Sequence, residues 1–253
     1  MPAFASRFQF VCLLIILLSW LPPVSAEPPV NIGDRRELFL ERGLIDQITG
    51  DADLRLQKPV AREVVIKFDQ LWEGSSSGYH TIIQEGDLYR LYYRGSHLIV
   101  SEGKLNTGSH KPYYCYAESK DGIHWSRPEL GIVEFKGSKK NNIILEGKGC
   151  HNFAPFLDEN PDCKPEGKYK ALGGLQGEGG LFAFQSADGI HWGLMQDEPV
   201  ITKGAFDSQN LAFWDSEQKQ YRTYYRVFTG GVTDSKTWKP EGDRAIQTAT
   251  SPD

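Results

Sequence analysis

Asp207 opens the stretch Asp207-Ser208-Gln209-Asn210, and Glu73 lies in Trp72-Glu73-Gly74. Each acid falls just ahead of a short apolar run. Two carboxyl groups facing one cleft can work as acid and base, or as acid and nucleophile. The plainer readings are an Asx-turn or strand-entry cap for Asp207 and a solvated loop acid for Glu73. Trp72 offers a flat aromatic platform beside Glu73, or a core side chain. His80 closes Gly78-Tyr79-His80, and Asn210 closes the Asp207 stretch. His151-Asn152 precedes another apolar run; both can bond hydroxyl groups, and His151 can tune a neighbouring acid. Glu178 sits in Gly177-Glu178-Gly179-Gly180, where glycine lets a side chain approach an axis or simply makes a hairpin turn. Arg94 and Arg226 follow equivalent Tyr-Tyr pairs. They could hold a carboxylate in bidentate fashion or serve in structural ion pairs.

The elements that must position these residues are written in a repeat. Ala117-Glu118-Ser119-Lys120-Asp121-Gly122-Ile123-His124-Trp125 nearly matches Phe184-Gln185-Ser186-Ala187-Asp188-Gly189-Ile190-His191-Trp192, and a third copy begins at Thr248-Ala249-Thr250-Ser251-Pro252-Asp253. The aspartates are 67 and then 65 residues apart, a period typical of repeat architectures. Ahead of each copy runs a strand pattern: Leu88 to Arg94, Tyr169 to Leu172, and Tyr221 to Arg226. Before each of these comes a shorter apolar strand, at Thr81–Gln84, Phe153–Asp158 and Leu211–Asp215. Each unit thus holds four antiparallel strands, the last starting at His-Trp. Sustained helical periodicity is absent, so the expectation is an all-β fold, a β-propeller of four-stranded blades. The Ser-x-Asp-Gly-x-His-Trp element reads as a turn: Asp and Ser bond backbone amides, Gly takes a positive φ, and Trp covers the hairpin. A residue repeated in every blade is a poor candidate for catalysis.

The ends and the composition set further bounds. Arg7, the apolar run Phe8–Trp20 and the small residues of Val24-Ser25-Ala26 predict a secretory leader over 1–26, with Glu27 the first mature residue. The apolar run of 13 residues is short of the ~20 needed to span a bilayer, which argues against stable membrane insertion. The protein is therefore expected to be secreted or periplasmic. The segment 27–70 leads into a partial propeller over 71–253, with blades near 71–135, 143–200 and 204–253. A formal charge of −5 with interspersed basic residues excludes a nucleic-acid face. Cys150 and Cys163 could close a short loop, leaving Cys115 as a buried thiol in Tyr113-Tyr114-Cys115-Tyr116. No Cys-x-x-Cys or His-x-x-x-His spacing occurs, so neither metal nor cofactor is expected.

These residues resemble the five-bladed propeller glycoside hydrolases related to families 32 and 43, and more closely secreted planctomycete-type homologues described as family 32-like. The resemblance runs from Arg36 to Asp253. It rests on Arg36-Glu37-Leu38-Phe39-Leu40, Trp72-Glu73-Gly74 with Gly78-Tyr79-His80, His151-Asn152-Phe153, Asp207-Ser208-Gln209-Asn210 and the repeated turns. It implies a carbohydrate partner and hydrolysis of poly- or oligosaccharide by a carboxylate pair. Asp207 aligns with the general acid of the family 32 stretch Glu-Cys-Pro-Asp-Leu-Phe, and Glu73 becomes the second carboxylate. Trp72, His80, Arg94, His151, Asn152, Glu178 and Asn210 become sugar contacts. His151-Asn152 departs from the acidic residue those families place nearby. Five blades of ~65 residues would need more than ~300, so about two and a half blades are expected here and an inactive fragment is one reading. A non-catalytic carbohydrate-binding propeller is the alternative.

Overall fold

The computed structural model describes residues 30–33, 37–38, 42–107, 110–233 and 237–253. The expected leader over 1–26 lies outside these, as do Arg36, Phe39 and Leu40 of the Arg36–Leu40 motif. The chain forms two compact units, Met1–Ala61 and Arg62–Asp253. The described part of the first contains a single 3-10 turn, Arg42–Leu44. Among the described residues no helix is long and apolar enough to cross a membrane.

The second unit is all-β. In chain order its strands are β1 (Ser76–Glu85), β2 (Leu88–Ser96), β3 (Ile99–Ser101), β4 (Lys104–Asn106), β5 (Tyr113–Ser119), β6 (Trp125–Ser126), β7 (Ile143–Glu146), β8 (Ala154–Leu157), β9 (Tyr169–Gly173), β10 (Phe182–Ser186), β11 (Gly193–Leu194), β12 (Leu211–Asp215), β13 (Gln220–Thr233) and β14 (Trp238–Ser251). The first sheet has five strands, β1-β2-β5-β6 in order with β7 also paired to β5; the second is a four-stranded antiparallel meander, β8-β9-β10-β11; a third runs β12-β13-β14. The short β3–β4 hairpin pairs only with itself. The register is the same in all three sheets: Tyr89 lies opposite Ser119, Tyr169 opposite Ser186, and Tyr221 opposite Ser251. The first strands stand side by side, β1 against β8 and β8 against β12. This is the arrangement of propeller blades, the first two each built on a path of four strands. One boundary differs from expectation: Ile143–Glu146 does not open the second blade but pairs with β5 of the first.

The blades are joined by aromatic packing that strand periodicity dictates. In β10 the alternate residues Phe182, Phe184 and Ser186 are buried. Phe153 is fully buried between the first two blades. It meets Tyr114 at 5.3 Å, Phe184 at 5.2 Å and Trp192 at 4.9 Å, all edge-on. Each such pair is worth ~0.5–1.5 kcal/mol beyond area burial.

The repeated turn has the structure its residues require. Asp121 Oδ1 accepts the amides of Ile123 (2.9 Å) and His124 (2.8 Å), Ser119 Oγ accepts that of Gly122 (2.9 Å), and Trp125 Nε1 donates to Gly122 O (3.0 Å). Asp188, Ser186 and Trp192 repeat these bonds within 0.1 Å. Gly189 has φ +76°, and a Cβ there would lie 2.6 Å from Tyr92 Oη. Only glycine fits that backbone and that gap.

The Cys150–Cys163 bridge that the spacing left open is not formed; all three described cysteines are free. Cys150 is buried in the cluster between the first two blades, its thiol donating to Pro112 O (3.3 Å). Cys163 stands beside Gly167 O (3.3 Å) and Lys170 Nζ (3.5 Å). The two side chains thus belong to different surroundings. Cys115 is fully buried, as its position in a strand predicts.

Candidate functional site

The starts of the first strands bring four polar side chains together. Tyr79 lies on β1 at a break in register between Gly78 and Thr81. Its φ is +53°, a conformation that costs a non-glycine residue ~1–3 kcal/mol and is held only where the surroundings over-determine it. Here the Tyr114 hydroxyl donates to Tyr79 O at 2.5 Å. The bulge turns the Tyr79 ring beneath Arg94 of β2, whose guanidinium carbon is 4.6 Å from the ring centroid. Arg94 Nη1 donates to His151 O at 3.1 Å. His151, just ahead of β8, places Nε2 2.8 Å from Asp207 Oδ1, in the loop before β12. The Tyr79 hydroxyl reaches the same oxygen at 3.4 Å. With Nε2–H donating to Asp207, the 3.1 Å Arg94–Nε2 approach is a packing contact and not a hydrogen bond.

The electrostatics of the cluster follow from these contacts. Burial would raise the Asp207 carboxyl, but the His151 hydrogen bond and charge, with Arg226 and Tyr79, outweigh it and hold the group below its usual range. Burial and the nearby Asp207 push the Tyr79 phenol up, against the pull of Arg94. Partial desolvation of its ring pushes His80 down. The Asp207 side chain remains 60% exposed, so its free oxygen can meet a ligand.

Two predicted contacts lie beneath this surface. Asn152 and Asn210 are fully buried. Both donate to Phe206 O (2.6 and 2.9 Å) and to Ser208 O (3.0 and 2.9 Å). They clamp the loop that carries Asp207 and are not on its open face. Gln209, which the sequence reading did not single out, ties this loop to β1 through His80 O (3.3 Å) and Thr81 Oγ1 (3.0 Å). Tyr79 was likewise not singled out; its signal was the Gly-Tyr-His triplet at a strand entry.

The remaining predicted residues are placed elsewhere. Glu73 is fully buried, not projected into an open cleft. Its carboxylate takes Arg127 Nε (2.8 Å), the Tyr93 hydroxyl (2.5 Å) and the Gln70 amide (2.8 Å). With Arg127 Nη2 also donating at 3.3 Å, each oxygen accepts two bonds, which corrects the expectation that it faces Asp207. Trp72 is half-buried, bonded by Nε1 to Asn142 Oδ1 (2.7 Å) and edge-on to Phe135. It is a packing residue and not an open platform. Glu178 accepts the amides of Leu175 (3.0 Å) and Gly149 (3.2 Å) and so ties two loops. His80 is exposed next to Tyr79, its Nε2 2.9 Å from Ser77 Oγ. Arg226 spends Nε on Ala205 O (2.7 Å). Among the described residues no group of three or more His, Cys, Asp or Glu side chains could hold a metal ion.

No protein-family model matches the chain, and no curated protein matches it. Solved structures do. A glycosyl hydrolase from Bacteroides ovatus is 19% identical, over 68% of this chain and 46% of its own, at a TM-score of 0.38. A structure described under the GH130 family of mannoside phosphorylases, containing glycoside hydrolases that target β-1,2 mannosidic linkages in Candida mannan, is 17% identical. It covers 67% of this chain and 46% of its own, also at a TM-score of 0.38. The chain therefore spans less than half the length of these structures. Neither description names family 32 or 43.

Proposed function

We propose that this chain is a glycoside hydrolase-like protein that engages carbohydrate, outside the cytoplasm, through the Tyr79–Arg94–His151–Asp207 cluster. One observation carries the proposal: three successive blades each deliver polar side chains to one spot where the first strands begin. An aromatic ring, a guanidinium, an imidazole and a carboxylate there can bond the hydroxyls of a sugar ring and cover one of its faces. In the hydrolytic reading Asp207 is the carboxyl that meets the glycosidic oxygen. Such cleavage uses two carboxyls roughly 5–10 Å apart. Glu73 is not free to be the second.

The lowered Asp207 carboxyl favours a second reading, non-catalytic binding. A general acid must hold its proton near working pH, and the His151 bond opposes that. One experiment separates the two. The full chain, Asp207→Asn and Arg94→Ala are assayed for retention on immobilised neutral and acidic polysaccharides and for release of reducing ends. Hydrolysis predicts release by the parent and a loss of at least ~100-fold in Asp207→Asn with retention kept. Binding alone predicts retention without release, lost in Arg94→Ala. Retention indifferent to both substitutions would remove the cluster from the function.

A further inference from the structure

Three half-buried arginines of the chain stand against acids. Arg90 Nε is 3.7 Å from Glu85, Arg127 Nε 2.8 Å from Glu73, and Arg222 Nε 2.9 Å from Asp215. Arg94, on the same strand as Arg90, is half-buried too, yet among the described residues it forms no ion pair. Its Nη1 donates to His151 O at 3.1 Å, and its Nε is buried without an acceptor. Nη2 has no acceptor among the described residues and, unlike Nε, is not sealed from solvent. A guanidinium stays charged in any protein setting. Partly out of water and without an acid, it bears a desolvation cost that a ligand's oxygens can offset through charge-assisted bonds.

The surroundings of Arg94 suit an anion. A Cβ at Gly78 would lie 3.5 Å from Nη2, so glycine leaves that nitrogen uncovered by a side chain at this point. The charges acting on the Tyr79 hydroxyl are Arg94 and Arg226 on one side and Asp207 on the other. Asp207 in turn is drawn toward His151 and Arg226. Two guanidiniums thus face one carboxylate, on a chain whose formal charge is −5. A local positive excess on an acidic protein draws an anionic ligand to that spot while the rest of the surface turns it away.

Given that the Tyr79–Arg94–His151–Asp207 cluster is the carbohydrate site, the reading on which this inference rests, we propose that the site selects an anionic sugar unit, a uronate carboxylate or a sulfate ester, with Arg94 Nη2 as its main donor. Asp207 limits the affinity, because its carboxylate repels the same group.

The test measures retention of the full chain by affinity electrophoresis on polygalacturonate, on its carboxyl-reduced and therefore neutral counterpart, and on a sulfated galactan. At least one anionic polymer is expected to be held ~10-fold more tightly than the neutral one, the worth of a charge-assisted pair. The excess should shrink as salt is added. The uronate and sulfate arms tell which anion the site takes. Arg94→Gln keeps an amide donor for His151 O but not the charge. It is expected to abolish the excess and to leave neutral retention within about 3-fold. Asp207→Asn is expected to raise anionic retention about 3-fold without raising neutral retention, a gain that a merely structural cluster would not give. Equal or tighter retention of the neutral polymer, or an excess that survives Arg94→Gln, would overturn the proposal and leave the carbohydrate reading standing. Retention of none of the three would overturn both. Should Arg94→Gln fail to fold, Asp207→Asn decides alone: no gain on either anionic polymer overturns the proposal.

Discussion

Asp207 and Glu73 are both acids just ahead of a strand, and the fold gives them opposite surroundings. Asp207 shares one oxygen between His151 and Tyr79 and keeps the other toward solvent. Glu73 is sealed with Arg127. Removing one partner of a buried pair strands the other charge, at a cost of about 3–5 kcal/mol. Arg127→Ala is therefore expected to lower unfolding free energy by about 3 kcal/mol in urea titration, while Asp207→Asn changes it by less than ~1 kcal/mol. Asn152 tests the clamp beneath the site. Asn152→Ala leaves the buried Gly174 amide without its acceptor and removes a donor from Gly174 O and Phe206 O, at about 2 kcal/mol. It is also expected to weaken sugar retention, because the Asp207 loop loses its floor. Stability lost with retention unchanged would show that the loop is held by other contacts. Residue types alone marked Asp207, His151 and Arg94 as chemical. They could not show which acid would be sealed, because the Arg127 that seals Glu73 is 54 positions away. They offered the Gly-Tyr-His triplet but not the role of the Tyr79 ring, whose place depends on a register break.

The turn is the element that repeats, and its bonds explain why. Asp188 satisfies two amides and the His191 ring, and together they hold its carboxyl well below the usual range despite burial that would raise it. Asp188→Ala is expected to cost about 1–2 kcal/mol in a two-state thermal or urea transition, the toll of a lost cap-like acceptor. Trp192→Ala should cost more, about 3 kcal/mol, because the indole joins two blades through Tyr92 and Phe153. A cost below ~1 kcal/mol would mean the blades are joined without it. At this scale the sequence was readable: period, strand order and the turn's hydrogen bonds all follow from local residue types. The exceptions are instructive. β7 leaves its own blade to pair with Tyr113, Tyr114 and Cys115 of the first. Pairing of this kind is decided by a partner strand some 30 positions back, which no local pattern reports.

For the whole molecule, the distribution of acids sets the pH response. Glu85, Asp121, Asp158, Asp188, Asp207 and Asp215 are all shifted downward. Their causes are local: Lys168 and Tyr169 bond Glu85, the His124 ring bonds Asp121, and Lys170 offsets the burial of Asp158. A carboxyl whose folded pKa lies below its unfolded value stays ionised in the native state after the unfolded chain has begun to take up protons. The unfolded state then binds more protons, so falling pH favours it. This stabilisation is complete above the ordinary carboxylate range, about pH 4 to 4.5, and is lost as pH falls through the lowered values. His124, raised by its bond to Asp121, acts in the opposite sense and loses its contribution as pH climbs through its raised value. It is largely exposed, so the acid limb dominates. Melting temperature is thus expected to be nearly level from pH 5 to 7 and to fall steeply below pH ~4. Asp158 gives the internal control. It is buried, its carboxylate holding Lys170, the Tyr221 hydroxyl (2.7 Å) and the Asn160 amide (3.0 Å). Asp158→Asn should melt below the parent at pH 7, and the gap should narrow as pH falls below the ordinary carboxylate range, as the parent takes up the proton and loses the same ion pair. A gap that stays constant across that range would mean the charge of Asp158 contributes nothing, and that acid unfolding begins at other carboxyls.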